Sequence, residues 1–445
     1  MGIKGLPKLI KEITNGTAMK SRQFGKFDGR VAVDMSLLIH QTVIAMRSNG
    51  RDMTNQKGEL TSHLYGILYK MLTFLQNGMT PICVFDGKAP EIKNKTVDIR
   101  RSRKDAAEKK LESLEDSEDE EYIKNFKQTF TPSKKDIHEA QILLDLMGIP
   151  YIVSPGEADV VCSWLASRID PNYIDPETGK KKRYVTGVCS DDSDMLALGA
   201  PYLFKDMLKF MTKNKDVTVI SLRTTLKSTG LTMRQFTDLC VLLGCDYCDN
   251  IKGIGPKTAY KMIKQLGSLE NVIKNDHDKK DETDSDTDSD FNDIKLTTNE
   301  KCMIEARNYF LNAVDNLDKS KDFVVTQDQL ELRKYQYEEL MDFMCVKHDF
   351  DVIRIQTALD RLKMYHDKLN ITRKNTKKVH KIIHPRSENY VLRTLIGEND
   401  IEFLDSDSND DNDDNDNNDE IPSKKIASKS SKKVGYLMRQ HKNSK

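Results

Sequence analysis

Two short apolar runs, each ending in an aspartate and each tied to a helix, limit this chain more than any other feature. Arg30-Val31-Ala32-Val33-Asp34 has the look of a buried strand, and residues 35–46 behind it carry Leu38, Ile39, Val43 and Met46 at helical spacing. Residues 61–76 form a second amphipathic helix, and Pro81-Ile82-Cys83-Val84-Phe85-Asp86-Gly87 repeats the strand ending in an acid. Strands alternating with helices predict an α/β fold with a mostly parallel sheet. In such sheets ligands bind beyond the carboxyl ends of the strands, where Asp34 and Asp86 fall. Each aspartate taken alone is also an ordinary turn or cap residue.

Further along, residues 88–132 break the alternation. They hold a helical stretch dense in Lys and Arg (93–114), an acidic middle (115–121) and a short amphipathic piece (122–130), read together as an excursion from the sheet. Residues 136–147 predict a helix closed by Gly148, and Tyr151-Ile152-Val153 a strand. Ser154-Pro155-Gly156-Glu157-Ala158-Asp159 then turns the chain into a helix over 158–165. Residues 170–182 read as a polar loop, and 183–189 as a strand that delivers Ser190-Asp191-Asp192-Ser193-Asp194. Carboxylates massed at a strand end repel one another and must be desolvated together unless cations neutralise them.

From Leu231 the pattern is helical. Thr232 caps residues 233–243, Gly244-Cys245-Asp246-Tyr247 follows, and Gly253-Ile254-Gly255-Pro256-Lys257 opens the next helix in a helix-turn-helix shape. Glycines there let backbone approach a ligand closely, and N–H groups at a helix start receive phosphate. Residues 275–299 read as a disordered Asp/Ser/Lys-rich insert. Helices resume over 301–312, 337–346 and 350–369, and a tail of basic, acidic and basic blocks closes the chain.

Lys+Arg and Asp+Glu are equal at 70 each, so net charge is silent about partners. Distribution is not: acid gathers in 281–293 and 405–420, leaving the body basic, as suits a DNA-binding protein. The eight cysteines are scattered, with Cys245 and Cys248 in a C-x-x-C that no second pair completes, so reduced structural thiols of an intracellular protein are expected. There is no apolar signal core, and no run approaches the ~20 apolar residues of a membrane helix. Gly2 raises myristoylation, but Pro7 and the lack of Ser/Thr at position 6 argue against that motif.

Asp34, Asp86, Glu157, Asp159, Asp192, Asp194 and Asp246 all fall at strand ends or helix starts able to face one rim. Carboxylates with no dedicated His or Cys suit Mg²⁺ or Mn²⁺. A cluster of this size holds two ions about 3.5–4 Å apart, the arrangement that serves phosphodiester hydrolysis.

These motifs, in this order, resemble the structure-specific 5′ nucleases. The match rests on Met1-Gly2-Ile3-Lys4-Gly5-Leu6, Val31-Ala32-Val33-Asp34, Val84-Phe85-Asp86-Gly87, Gly156-Glu157-Ala158-Asp159, Asp191-Asp192-Ser193-Asp194-Met195, Leu243-Gly244-Cys245-Asp246-Tyr247-Cys248 and Gly253-Ile254-Gly255-Pro256-Lys257. Within that group the chain most resembles flap endonuclease, over Met1 to roughly Leu369. The resemblance implies a PIN-like mixed, mostly parallel sheet flanked by helices, a helical arch and a helix-two-turn-helix. It implies a nuclease region over 1–105 with the arch at 88–135, an internal nuclease region at 136–250, and the helix-two-turn-helix with C-terminal helices at 232–370. Composition makes residues 371–445 a charged, largely disordered tail, whose acidic block either folds back on basic surface as a competitor of DNA or stays solvated and inert.

The resemblance further implies two Mg²⁺ ions, replaceable by Mn²⁺: one held chiefly by Asp34, Asp86 and Glu157, a second by Asp192, Asp194 and Asp246, with Asp159 shared or bonding through water. Lys93 and Arg100 match the basic arch residues that face the scissile phosphate. The Gly253, Gly255 and Lys257 turn would grip duplex phosphates, often with K⁺. Gly2 would lie near the junction, and Arg47 and Lys70 resemble DNA contacts. His40 stands where flap endonucleases usually have a stacking tyrosine. No Gln-x-x-Leu/Ile-x-x-Phe-Phe peptide for the sliding clamp is recognisable. The expected partner is 5′-flap, nicked or gapped DNA, met by a monomer away from membranes, in the nucleus or at a viral or cytoplasmic site of DNA replication. The rival readings are a repair-type 5′–3′ exonuclease of the same superfamily and a non-catalytic DNA-binding scaffold.

Overall fold

The structure, a computed structural model, describes residues 2–23, 27, 29–88, 90–114, 119–174, 179–209, 216–278, 295–321 and 323–379. They lie in one compact unit, Met1–His384. Nine strands are present among them: β1 (Met19–Gln23), β2 (Gly29–Asp34), β3 (Met79–Phe85), β4 (Tyr151–Val153), β5 (Ile169–Ile174), β6 (Lys181–Arg183), β7 (Val188–Cys189), β8 (Tyr202–Lys205) and β9 (Asp216–Ser221). Seven of them form one sheet in the order β1-β9-β8-β7-β2-β3-β4. The run from β8 to β4 is parallel throughout, while β9 lies antiparallel to both β8 and β1. The predicted mixed, mostly parallel sheet is therefore the one observed.

The helices up to the arch are α1 (Leu6–Ile13), α2 (Met35–Met46), α3 (Ser62–Gln76), α4 (Asn94–Leu111) and α5 (Glu120–Gln128). Then come α6 (Lys134–Met147), α7 (Ala158–Ser167), α8 (Asp194–Ala197), α9 (Leu222–Thr229), α10 (Met233–Leu243), α11 (Pro256–Leu266), α12 (Leu269–Asp278), α13 (Thr298–Lys319), α14 (Tyr337–Met341) and α15 (Val352–Val379). No helix of the described residues is long and apolar enough to cross a membrane.

The central strands are buried on both faces, which is why they read as continuous apolar runs rather than alternating ones. Phe74, Phe85, Phe236 and Phe310 are among the fully buried side chains, each stabilising by roughly 1.5–3 kcal/mol relative to exposure. Register does the positioning: Val33 lies beside Cys83 and Cys189, so β2, β3 and β7 end level with one another.

Several expectations need correction. The polar loop at 170–182 contains most of a two-stranded antiparallel hairpin, β5 with β6, anchored where Arg30 donates to the buried Asp170 at 2.8 Å. The single strand expected over 183–189 is divided, because the chain changes partners. Arg183 pairs with Ile169, whereas Thr186 N donates to Arg30 O at 2.8 Å and Val188 pairs with Ala32. The insert expected over 275–299 is shorter, since α12 runs to Asp278 and Thr297 caps α13 in a reciprocal box with Glu300. Residues 279–294 lie outside the described residues. The last helix runs to Val379 rather than 369, taking in the start of the expected tail; the remainder, with its acidic block and basic clusters, lies outside the described residues.

Candidate metal centre and nucleic-acid interface

Asp34 ends β2 and also caps α2, its Oδ1 accepting from Leu37 N at 3.1 Å. Asp86 follows β3 and accepts from Ala158 N at 2.7 Å, meeting an open donor at the start of α7, with Ser36 Oγ on its other oxygen. Glu157 is the N-cap residue of α7 but makes no side-chain cap bond, so its carboxylate points elsewhere. Its Oε2 accepts from Tyr247 at 2.6 Å and Tyr309 at 2.9 Å, and its Oε1 pairs with Lys93.

Beyond β7, Asp192 N donates to Ser190 Oγ at 3.0 Å and Asp194 N donates to Asp192 Oδ1 at 2.9 Å, folding both acids into a tight turn. Asp34, Glu157, Asp192 and Asp194 are all at most 5% exposed. Asp246 follows α10 and pairs with Arg100, with Lys93 Nζ 3.9 Å away. The ends of the adjacent strands β7, β2, β3 and β4 thus supply most of the rim, and the turn after α10 adds Asp246.

These groups crowd. Burial, then the neighbouring Asp86, pushes Asp34 up to about 7 despite the Leu37 amide. Burial, then Asp192 and Asp34, holds Asp159 well above the carboxylate range. Burial and Asp192 do the same to Asp194, and burial raises Asp192 against the opposing Asp194 amide. Burial works against the Lys93 charge, but Glu157, Asp159 and Asp246 outweigh it and raise the ammonium above its usual value. Divalent cations fit this set. The donors are all oxygen, Asp194 Oδ1 is buried with no hydrogen-bond partner, and a cation, Lys93, already sits among the acids.

The N-terminus closes one side. Gly2 has φ +77°, and a Cβ there would stand 1.9 Å from Asp192 Oδ1 and 2.7 Å from Asp194 Oδ1, so only glycine brings the chain this near the rim. Lys4 N donates to Gly244 O at 3.1 Å, binding the start of the chain to the Asp246 turn.

Among the other expected site residues, Gly253 takes φ +87°, and nothing lies within 4 Å of a Cβ on Gly253 or Gly255, as befits an open turn. Gly255 starts α11 with no side-chain acceptor, Pro256 stands in its first turn, and Lys257 is largely exposed and 3.0 Å from Glu12. His40 is half-buried with its ring 6.0 Å from Phe130; burial, then Arg100 and Arg47, lowers its pKa and favours the neutral imidazole. Two expected DNA contacts are engaged inside the chain. Arg47 pairs with Asp52 at 2.7 Å and lies over the Phe126 ring at 4.2 Å, clasping α5 to the end of α2. Lys70 is 6% exposed and donates to Met207 O and Lys209 O at 3.0 and 2.7 Å. Lys70 extends from a mostly buried helix, and its charge is met by carbonyls, so surface phosphate contact does not follow for it.

Tyr247, Tyr309, Ser36 and Ser190 were not singled out from sequence. Tyr247 stands in the Asp246 motif, which was its only signal. Tyr309 lies on α13 far along the chain, where nothing local marks it.

A mostly parallel sheet with carboxylates massed beyond its carboxyl edge is the architecture of nucleases of PIN-like fold. Residues 1–107 match the XPG N-terminal domain and residues 148–246 the XPG I-region. A flap endonuclease 1 of Vanderwaltozyma polyspora is 36% identical over 366 residues, covering 82% of this chain and 88% of the relative. One from Scheffersomyces stipitis is 38% identical over 276 residues, 62% of this chain and 69% of the relative. The chain belongs to the flap endonuclease family. Among solved structures, flap endonuclease-1 of Methanococcus jannaschii matches with a TM-score of 0.53 at 26% identity, covering 79% of this chain and 98% of its own. The catalytic core of Rad2 in complex with a DNA substrate shares the fold, with a TM-score of 0.53 at 24% identity over 79% of this chain and 98% of that one.

Proposed function

We propose that this chain is a structure-specific 5′ flap endonuclease with 5′–3′ exonuclease activity, hydrolysing DNA phosphodiesters with two Mg²⁺ ions, for which Mn²⁺ substitutes, in DNA replication and repair. The observation that carries it is the buried carboxylate rim closed by Gly2 on one side and by Lys93 and Arg100 on another. Asp34, Asp86 and Glu157 would hold one ion and Asp192, Asp194 and Asp246 the second, with Asp159 shared or bonding through water. Such ions polarise the phosphoryl oxygens and lower the pKa of bound water, which makes a hydroxide nucleophile accessible near neutral pH. Lys93 and Arg100 bind the scissile phosphate and offset charge that grows on it in the transition state. A phosphate draws both cations away from Glu157 and Asp246, freeing those carboxylates for metal.

The turn at Gly253 and Gly255 takes duplex phosphate on backbone N–H groups, with K⁺ beside it, and Lys257 adds a point charge. His40 stacks on the nucleotide beside the cut, a role suited to the neutral ring. The protein acts as a monomer at sites of DNA synthesis inside the cell. The test is purified protein with Mg²⁺ on 5′-flap, nicked, gapped and blunt duplexes labelled at the 5′ end. One-step release of the intact flap is expected. Mononucleotides released preferentially from nicks and ends would support the exonuclease reading instead, and binding without product the scaffold reading.

Lys257→Ala gives a narrower result. Binding to duplex-containing substrates should weaken, and the slope of log K against log salt should fall by about one ion. The single-turnover rate at saturating DNA should not move. An unchanged salt slope would place Lys257 away from the phosphates.

A further inference from the structure

A second cluster of metal-ligating side chains shares no residue with the rim. His63 near the start of α3, and Asp136 and Glu139 one turn apart near the start of α6, bring one ligand atom each to within 4.8 Å of one another. His348, just after α14 and the π-turn that continues it, adds a second imidazole on the other oxygen of Glu139, outside the group whose ligand atoms all lie within 4.8 Å of one another. His63 Nε2 stands 3.6 Å from Glu139 Oε2, and His348 Nε2 stands 3.8 Å from Glu139 Oε1. His63 is 0%, His348 2%, Glu139 4% and Asp136 9% exposed.

None of the four ring nitrogens of the two histidines has a hydrogen-bond partner. Buried polar nitrogens are nearly always paired, because leaving one bare forfeits its hydration with no return. Two bare imidazoles beside one carboxylate therefore require an explanation. The gaps of 3.6 and 3.8 Å are too long for hydrogen bonds. They lie close to the edge of a tetrahedron of N and O ligands around zinc, about 3.4 Å for bonds near 2.1 Å.

We propose that His63, Asp136 and Glu139 form a structural site for one Zn²⁺ or a similar first-row divalent ion, with His348 moving in from beyond Glu139 as the fourth ligand. Two imidazoles with two carboxylates favour such a metal over Mg²⁺. Asp136 already accepts from Ser133 N at 2.7 Å through Oδ2, which leaves Oδ1 for the metal. The ion would pin the C-terminal helical segment to α3 and α6, so its effect falls on stability and not on the cutting step.

The experiment uses the full chain in excess Mg²⁺, which keeps the rim carboxylates occupied by the ion they prefer, and Co²⁺ as a spectroscopic probe. One equivalent of Co²⁺ should produce the visible absorption of a tetrahedral N/O site, and one equivalent of Zn²⁺ should abolish it and raise Tm by several degrees. His348→Gln and Glu139→Gln should each lose the Co²⁺ band and at least tenfold in Zn²⁺ affinity, while keeping Mg²⁺-dependent flap incision. No Co²⁺ band in the wild-type chain, or one that persists in both variants, overturns the assignment. The wild-type titration decides even where a variant fails to fold, and neither outcome depends on the nuclease reading.

Discussion

Asp192→Ala abolishes flap incision in Mg²⁺ while leaving Kd for the flap substrate within a few-fold. In the function proposed above the side chain would hold metal and contact no phosphate, so its loss would remove catalysis and leave the DNA-binding surface whole. The same substitution stabilises the metal-free protein at neutral pH. Asp192 is one of the charges that raise Asp34, Asp159 and Asp194. Asp34 titrates near 3.8 when unfolded and about 7 when folded, so the neutral form is the one the fold favours. Its contribution to stability is present below 3.8 and lost as pH climbs through 7. Metal-free wild type therefore loses Tm between mildly acidic and neutral pH, Mg²⁺ restores it, and Asp192→Ala lessens the loss by on the order of 1 kcal/mol. Quenched-flow cleavage, fluorescence binding and thermal melts with and without chelator check each part. Incision at a near-normal rate in Mg²⁺ would remove Asp192 from the metal centre.

Lys93→Ala and Arg100→Ala each lower the single-turnover rate on the order of 10²–10³-fold, the range for losing one electrostatic stabiliser. Lys93 is the more deeply set, pairing with Glu157 and standing 3.9 Å from Asp246, whereas Arg100 is 47% exposed and pairs with Asp246 alone. Their partners overlap, so the double variant should lose less than the product of the two effects. Single-turnover rates at saturating enzyme separate this from binding. A change confined to Kd would make either residue a positioning contact.

Most acids of the rim were legible because each follows an apolar strand or opens a helix, signals confined to a few neighbouring residues; Asp246, in the turn after α10, is the exception. Asp34, Asp86 and Glu157 were placed at strand ends and helix starts from such signals, and the structure puts them there. The arch cations were readable as charge but not as contacts. The strands at Met19–Gln23, Tyr202–Lys205 and Asp216–Ser221 were missed, and the hairpin β5–β6 passed for a loop. These are short or edge segments whose pattern is half polar, and only pairing with a distant partner makes them strands.

What the sequence by itself determined is local: which segments take which backbone state, where a carboxylate leaves the end of a buried strand, and where Gly253 permits a positive φ. Periodicity and sterics act over a few residues, so they are written in order along the chain. Which groups meet was decided by tertiary structure alone. Tyr309 reaching Glu157, Lys70 turned inward onto two carbonyls, Arg47 committed to Asp52 and Phe126, and His63 facing Glu139 and His348 are all long-range arrangements. A basic side chain reads the same in sequence whether it meets phosphate or is buried against a carbonyl; the packing of the elements around it sets its partner and therefore its role.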